Sequence, residues 1–153
     1  MEDQGIFAGF LALSFTFILI IVIWGILAYI LTAFALYTMA KNDGANDGVL
    51  AFIPFLNSKV WGDLAREKLP GFLKEGAGWK VFGIYVLCFI LNFIPIISVL
   101  ATGVSLVLSI YLVYAILDRY GTNSVLFTII HVITCSIFLP IHLFLIRNEP
   151  TKY

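Results

Sequence analysis

Residues 6–40 read IFAGFLALSFTFILIIVIWGILAYILTAFALYTMA, with no Asp, Glu, Lys or Arg among them. About 20 apolar residues in helical conformation cross the roughly 30 Å hydrocarbon layer of a bilayer. This run is longer than that, with its best spanning core at residues 13–37. A helix of this length must tilt, or set its first turns at the interface. Glu2 and Asp3 precede it where a signal peptide would carry basic residues, and no small-residue cleavage site follows. The run therefore predicts a retained membrane helix, helix one.

The rest of the chain agrees with that beginning. Of the 153 residues, 61% are hydrophobic and 12% are charged. Soluble domains run nearer 45–50% apolar and about 25% charged, so the apolar excess must face something other than water. Two further charge-free runs follow, between Lys80 and Asp118 and between Arg119 and Arg147. The net charge is zero, which excludes the basic footprint of a nucleic-acid binder. Cys88 and Cys135 both sit inside apolar runs and form no disulfide framework.

Residues 41–80 are the polar part. They open with KNDGANDG, rich in turn-forming Asn, Asp and Gly. From Ile53 onward a helical period appears. Ile53, Leu56, Val60, Trp61 and Leu64 gather on one side; Asn57, Lys59, Asp63, Arg66 and Glu67 gather on the other. An apolar stripe with a Trp opposite a charged face predicts a helix lying flat at the headgroup level. Trp79 and Lys80 then anchor the return to the membrane.

Helix two is expected at about 81–93, ended by Asn92 and Pro95. Helix three is expected at 97–117 and helix four at 125–146, kinked at Pro140. The expected fold is thus all-α: a polytopic membrane helix bundle of about four transmembrane helices plus one interfacial amphipathic helix. It forms a single membrane domain over residues 1–153, with a short tail at 147–153. Lys41, Lys59, Arg66, Lys68, Lys74, Lys80 and Arg119 would lie on one side, and only Arg147 and Lys152 on the other. The positive-inside rule then places the long loop in the cytoplasm and both termini outside.

An offset of 77 positions aligns the two halves. Gly25, Ala28 and Thr32 fall on Thr102, Ser105 and Ser109; Tyr37 falls on Tyr114, Gly44 on Gly121 and Asn46 on Asn123. Each half then reads as a helix with small residues on one face, a Gly-x-Asn turn, and an apolar segment broken by Pro54 or Pro140. Internal repeats are common in membrane transport folds, although apolar sequences also align by chance. The faces Gly25, Ala28, Thr32, Ala35 and Ser98, Thr102, Ser105, Ser109 are expected to pack helix one against helix three, because small residues let backbones approach in lipid. A hydroxyl-lined path for water or ions is the alternative use.

Reactive side chains are few. His131, Cys135 and His142 share a face of helix four and form the one polar site worth weighing, with Cys88 as a further ligand. On a continuous helix the two histidines would stand roughly 16 Å apart at 1.5 Å per residue, too far to share a metal ion. His131 is expected to be structural, bonded to a hydroxyl or a carbonyl. No charged residue lies mid-membrane, so a charge-driven pump lacks its usual groups. No catalytic motif is present. The expectation is therefore no enzyme activity, no catalytic residues, no cofactor and no bound metal.

The segment LYTMAKNDGANDGVLAFIPFLNSKVWGDLA, with Ala51, Ile53, Pro54, Asn57, Trp61, Gly62, Leu64 and Ala65, resembles a loose group of small, uncharacterised bacterial membrane proteins. The second half, NFIPIISVL and then DRYGTNS, is similar to theirs as well. Some members of that group look like appendages of signal peptidases, but no Ser–Lys pair in a soluble domain is present to carry peptidase activity over. The resemblance implies a bacterial plasma (inner) membrane and little about mechanism. The function expected first is an accessory or interaction subunit of a larger membrane system such as a transporter, secretion or immunity system. Its partners would be the lipid bilayer and another membrane protein or a second copy of itself, with no nucleic acid. A homo-oligomeric channel or transporter subunit for a small solute or ion is the alternative.

Overall fold

A computed structural model describes residues 2–152, and the side chains from residue 11 to 152. Among the described residues the fold is all-helical, with no strand. Helix α1 spans Glu2–Asn42. A single 3-10 turn, Gly48–Phe52, leads to α2 at Asn57–Ala65. The short α3 (Gly71–Lys74) precedes α4 (Ala77–Leu91) and α5 (Pro95–Tyr120). Then come α6 (Ser124–Ile133) and α7 (Leu139–Ile146). Two of these, α1 and α5, are long and apolar enough to cross a membrane; α4 and α6 are shorter apolar helices. Helices two and three of the sequence reading are indeed separate, because Asn92 ends one and Pro95 opens the next.

Three expectations are corrected. The first concerns residues 53–67. In place of a helix flat on a surface, residues 43–66 form a hairpin that rises along α1 and returns. The Tyr29 hydroxyl donates to the Phe52 carbonyl at 2.9 Å, so the hairpin climbs about 20 Å of α1 from Asn42. At its far end the chain cannot stay helical: Pro54 holds Ile53 extended, and Phe55 adopts a φ of 67°. On the way back α2 is enclosed, with Val60, Gly62, Leu64 and Ala65 all buried. The apolar stripe was real, but it faces the other helices. The opposite face brings Lys59 inside the fold, where Asp47 and Asp63 pair with it.

The second correction concerns helix four, which is no single helix. Thr134 turns its hydroxyl onto the Ile130 carbonyl at 2.8 Å, and Cys135 and Ser136 take positive φ of 49° and 60°. Side-chain hydroxyls compete for helix carbonyls and favour such breaks. Pro140 then suits the first turn of a new helix. Helix α7 runs back beside α1, and its end reaches the polar side: the Asn42 amide donates to the Arg147 carbonyl at 3.4 Å, and the Lys152 N–H to the Arg119 carbonyl at 3.1 Å. The C-terminal tail therefore lies beside the 41–80 segment, opposite to where a fourth crossing would have put it. Arg147 and Lys152 join the other seven Lys and Arg at one end.

The third concerns the two small-residue faces. Helices α1 and α5 meet only at the polar end, where Leu36 and Met39 share a core with Ile116 and Tyr120, and not through their small-residue faces; α1 packs mainly on α7 and the first hairpin, and α5 on α4, α6 and α2. A methyl placed on Gly25 would meet nothing within 4 Å. The close backbone approach occurs elsewhere, between α2 and α4. A Cβ on Gly62 would lie 2.8 Å from the Gly78 Cα and 2.9 Å from the Ala77 carbonyl. Only glycine fits there, and the Gly78 N–H uses the proximity to donate to Asp63 at 2.9 Å.

The core sits at the polar end. Leu36, Met39, Leu64, Ile116 and Leu143 are fully buried there, drawn from α1, α2, α5 and α7. The two halves also reach across to each other. Arg119, at the end of α5, donates to the Leu64 carbonyl at 3.0 Å near the end of α2. Asn42, at the end of α1, donates to Arg147 just past α7. These residues stand 77 apart, the offset at which the two halves align, and each closes the other half's hairpin.

Candidate functional site: a cavity between two broken-helix hairpins

Away from that core the helices border a half-open cavity of about 780 Å³. Its walls come from four places: the first turn of α2, the outer part of α4, the middle of α5, and the α6 side of the second hairpin. Phe55, Trp61, Phe89, Leu106 and Leu139 make it mainly apolar. The polar groups on it are neutral, and most arise where a helix breaks or a hydroxyl bonds its own backbone.

Asn92 shows how a break creates one of them. Pro95 carries no N–H, so α4 ends at Leu91 and the Asn92 amide folds back onto the Cys88 carbonyl at 2.8 Å. Its oxygen is left to accept from Thr102 at 3.0 Å. On α5, Ser105 bonds the Ala101 carbonyl at 2.9 Å and Ser109 the Ser105 carbonyl at 2.8 Å. The Tyr85 hydroxyl lies 2.7 Å from Ser109 and joins α4 to α5. Asn57 and Ser58 open α2 on the opposite wall.

The second hairpin supplies the histidines. Because the chain turns at Cys135 and Ser136, His131 on α6 meets His142 on α7, Nε2 to Nδ1 at 2.8 Å. The wide separation expected for one continuous helix does not hold. The partner of His131 is the other imidazole, where a hydroxyl or carbonyl was expected. His131 is 3% exposed and lies in the cavity wall, and its Nδ1 has no hydrogen-bond partner among the described residues. His142 is sandwiched from the other side by Phe127, with ring centroids 4.6 Å apart.

The residues singled out in sequence thus divide. Ser105, Ser109, His131 and Cys135 line the cavity, and His142 reaches it through His131. Ala35 is buried in the core, while Ala28 and Thr32 bond each other along α1. Ser98 caps its own turn on the Pro95 carbonyl, and Thr102 holds Asn92. Cys135 is exposed and Cys88 buried, both as free thiols. Among the described residues no group of three or more His, Cys, Asp or Glu could hold a metal ion. Tyr85, Asn57 and Ser58 were missed: they lie on separate elements, and only the Asn and the hydroxyls themselves marked them.

The charges stay at the other end. Arg119, 4% exposed, is bidentate toward Asp43 through both terminal nitrogens, and Arg66 approaches the same carboxylate at 3.7 Å. Lys68 pairs with Asp118 at 2.8 Å. The Lys59 ammonium also sits 5.6 Å above the Trp79 ring. Comparison with protein-family models, curated proteins and solved structures finds no match for this chain.

Proposed function

We propose that this chain is a multi-pass membrane protein that binds a small uncharged polar solute in the cavity between its two hairpins, and that it acts as a channel or transporter subunit. The membrane setting is supported by where the apolar surface lies. The most apolar windows of α1 and α5 are only 6% and 17% buried, whereas the core helix of a soluble protein would be enclosed. All nine Lys and Arg stand at one end, which the positive-inside rule assigns to the cytoplasm. On this reading α1, α4 and α5 cross the bilayer and the two hairpins enter it from the cytoplasmic side and leave by the same side. The resemblance of the first half to small bacterial membrane proteins favours the plasma (inner) membrane.

The cavity itself carries the functional reading. Non-helical backbone at membrane depth is tolerated where it is enclosed by protein or lines a water-filled space. Transport folds place such breaks at the junction of two repeated halves, around the binding site. Here the breaks at Asn92 and at Cys135 and Ser136 border one cavity. Its neutral hydroxyls and amides suit an uncharged solute that both donates and accepts hydrogen bonds. The shared order of long helix, Gly-x-Asn turn and hairpin, with the reciprocal bonds from Asn42 and Arg119, supports a duplicated origin.

Osmotic swelling of proteoliposomes tests the reading, with urea and glycerol as probes. Relaxation should be faster than in empty liposomes, and Ser109→Trp, which fills the cavity, should return it to the empty-liposome rate. Equal rates with and without protein would sink it.

A second reading rests on α1. Over residues 11–27 most of its side chains are exposed, and Phe17, Ile18, Leu19, Ile20 and Ile21 are so on successive faces. That bare stretch supports an accessory role in which another membrane protein packs against α1. Photo-crosslinking from positions 17 and 21 in native membranes decides it: a discrete adduct favours a partner, and lipid adducts alone disfavour one.

A further inference from the structure

The pairing of the two histidines is the feature the solute reading leaves unused. An N–H···N bond between imidazoles needs one ring to donate and the other to offer a lone pair. Two arrangements satisfy the 2.8 Å contact between His131 Nε2 and His142 Nδ1. If His142 donated, His131 would carry its own proton on Nδ1, a buried N–H without a partner among the described residues. Orphaned N–H groups in a protein interior are rare and costly. We therefore assign the proton of the bond to His131 Nε2. His142 then bears its proton on Nε2, and the free lone pair of the two rings is His131 Nδ1, which is buried and has no partner among the described residues.

We propose that His131 and His142 together form one proton-binding site, shared across their hydrogen bond. An added proton occupies His131 Nδ1, and the bond it strengthens offsets the cost of leaving that N–H unpartnered. The resulting imidazolium donates Nε2–H to His142 Nδ1 in a charge-assisted bond, stronger than the neutral one. Movement of that proton across the bond leaves His131 neutral and His142 as the imidazolium, so the one added proton belongs to both rings. A second proton cannot be held at the same time: two imidazolium rings would both be donors, and like charges at this separation repel strongly where water is scarce.

The surroundings suit a site for a single charge. From α4, Tyr85 is the titratable group on the same cavity, and from the turn, Cys135. Neither α2 nor α5 adds one there, since Asn57, Ser58, Ser105 and Ser109 do not titrate near neutrality. Helix α1, which packs along α7, has no charged residue between Asp3 and Lys41, and its titratable groups in that stretch are Tyr29 and Tyr37. No carboxylate is at hand to hold an imidazolium, so the second imidazole is the group that stabilises it. The inference goes beyond the solute reading and is measured independently of solute flux.

The chain has two histidines only, so a 15N-histidine-labelled, tag-free sample in phosphatidylcholine nanodiscs reports on nothing else. At neutral pH the spectrum should show a 15N–15N coupling across the bond between Nε2 of one ring and Nδ1 of the other. On acidification the pair should take up one proton that shifts both rings together, with the second step displaced by more than about one pH unit. His142→Gln should abolish both the coupling and the joint step while circular dichroism stays unchanged. Two rings that titrate independently near the ordinary value of about 6.5, absence of the coupling, or no proton uptake before unfolding would each overturn the proposal, and the wild-type spectra decide this even if the variant fails to fold. Joint titration without urea flux would leave the proton site standing and remove the solute reading; flux without joint titration would do the reverse.

Discussion

The two ends of this bundle hold together by different means. At the polar end α1, α2, α5 and α7 converge on a core of Leu36, Met39, Leu64, Ile116 and Leu143, and buried charge pairs lock the hairpin ends. At the apolar end much of α1 is uncovered, and a half-open cavity is bordered by single hydroxyl and amide bonds and by aromatic contacts such as Phe55 with Phe89. On the proposed membrane setting, lipid would explain the contrast. Apolar side chains gain little by leaving hydrocarbon for one another, so association there depends on close backbone fit and hydrogen bonds. Where chain meets water the hydrophobic effect and paired charges both operate. The rigid end can anchor the hairpins while the loose end keeps room for a ligand.

The first way to break that contrast is to remove the lock. Arg119→Ala leaves Asp43 nearly enclosed without its main partner and strips the Leu64 carbonyl of its donor. Breaking a buried pair from one side costs about 3–5 kcal/mol, which for a chain of this size corresponds to a fall in Tm of about 10 °C. Thermal unfolding in detergent measures it. A shift within about 2 °C would mean that the polar end is held by its apolar core alone.

Backbone contact comes next. Gly62→Ala places a methyl 2.8 Å from the Gly78 Cα, and neither backbone can yield without separating α2 from α4. Overpacking of this kind costs about 1–3 kcal/mol, and the denaturant midpoint should fall accordingly. Wild-type stability would show that the two helices are not in contact there.

Ser109→Ala sharpens the comparison at the loose end. It removes the bond that ties Tyr85 to α5, for a loss of about 1 kcal/mol. Because a single bond acts there rather than a network, the effect should not depend on whether Arg119 is also replaced. A double-mutant cycle checks this, with additivity expected.

The smallest effect is expected at Gly25→Leu. The position has open surroundings, so stability should change by less than about 0.5 kcal/mol. A large loss in detergent-purified protein would instead point to a partner or a second copy seated on α1, and would move the balance toward the accessory reading.

Much of this was legible in the chain. The charge-free runs gave the long helices, Asn92 and Pro95 gave the break between α4 and α5, and the 77-residue offset matched Gly44 and Asn46 to Gly121 and Asn123, although the bonds from Asn42 and Arg119 at the same offset were not read from it. The misreadings share a cause. Helical periodicity shows that residues 53–67 have two faces, but it does not say what each face meets. A charged face ordinarily implies water; here Asp47 and Asp63 bring Lys59 inside. In the same way small residues at helical spacing mark a face that could accept a neighbour, and the neighbour was found at Gly62 and Gly78 instead of Gly25.

What the sequence determined by itself is the long apolar helices and the break at Asn92 and Pro95, because these follow from local chemistry: propensity and proline. What only the tertiary structure decided is which segments turn back. Thr134, Cys135 and Ser136 do not look like a reversal in a run of apolar residues, since positive φ at non-glycine positions costs about 1–3 kcal/mol each and persists only where packing enforces it. That reversal brings His131 onto His142, and with it the site on which the proposed chemistry depends.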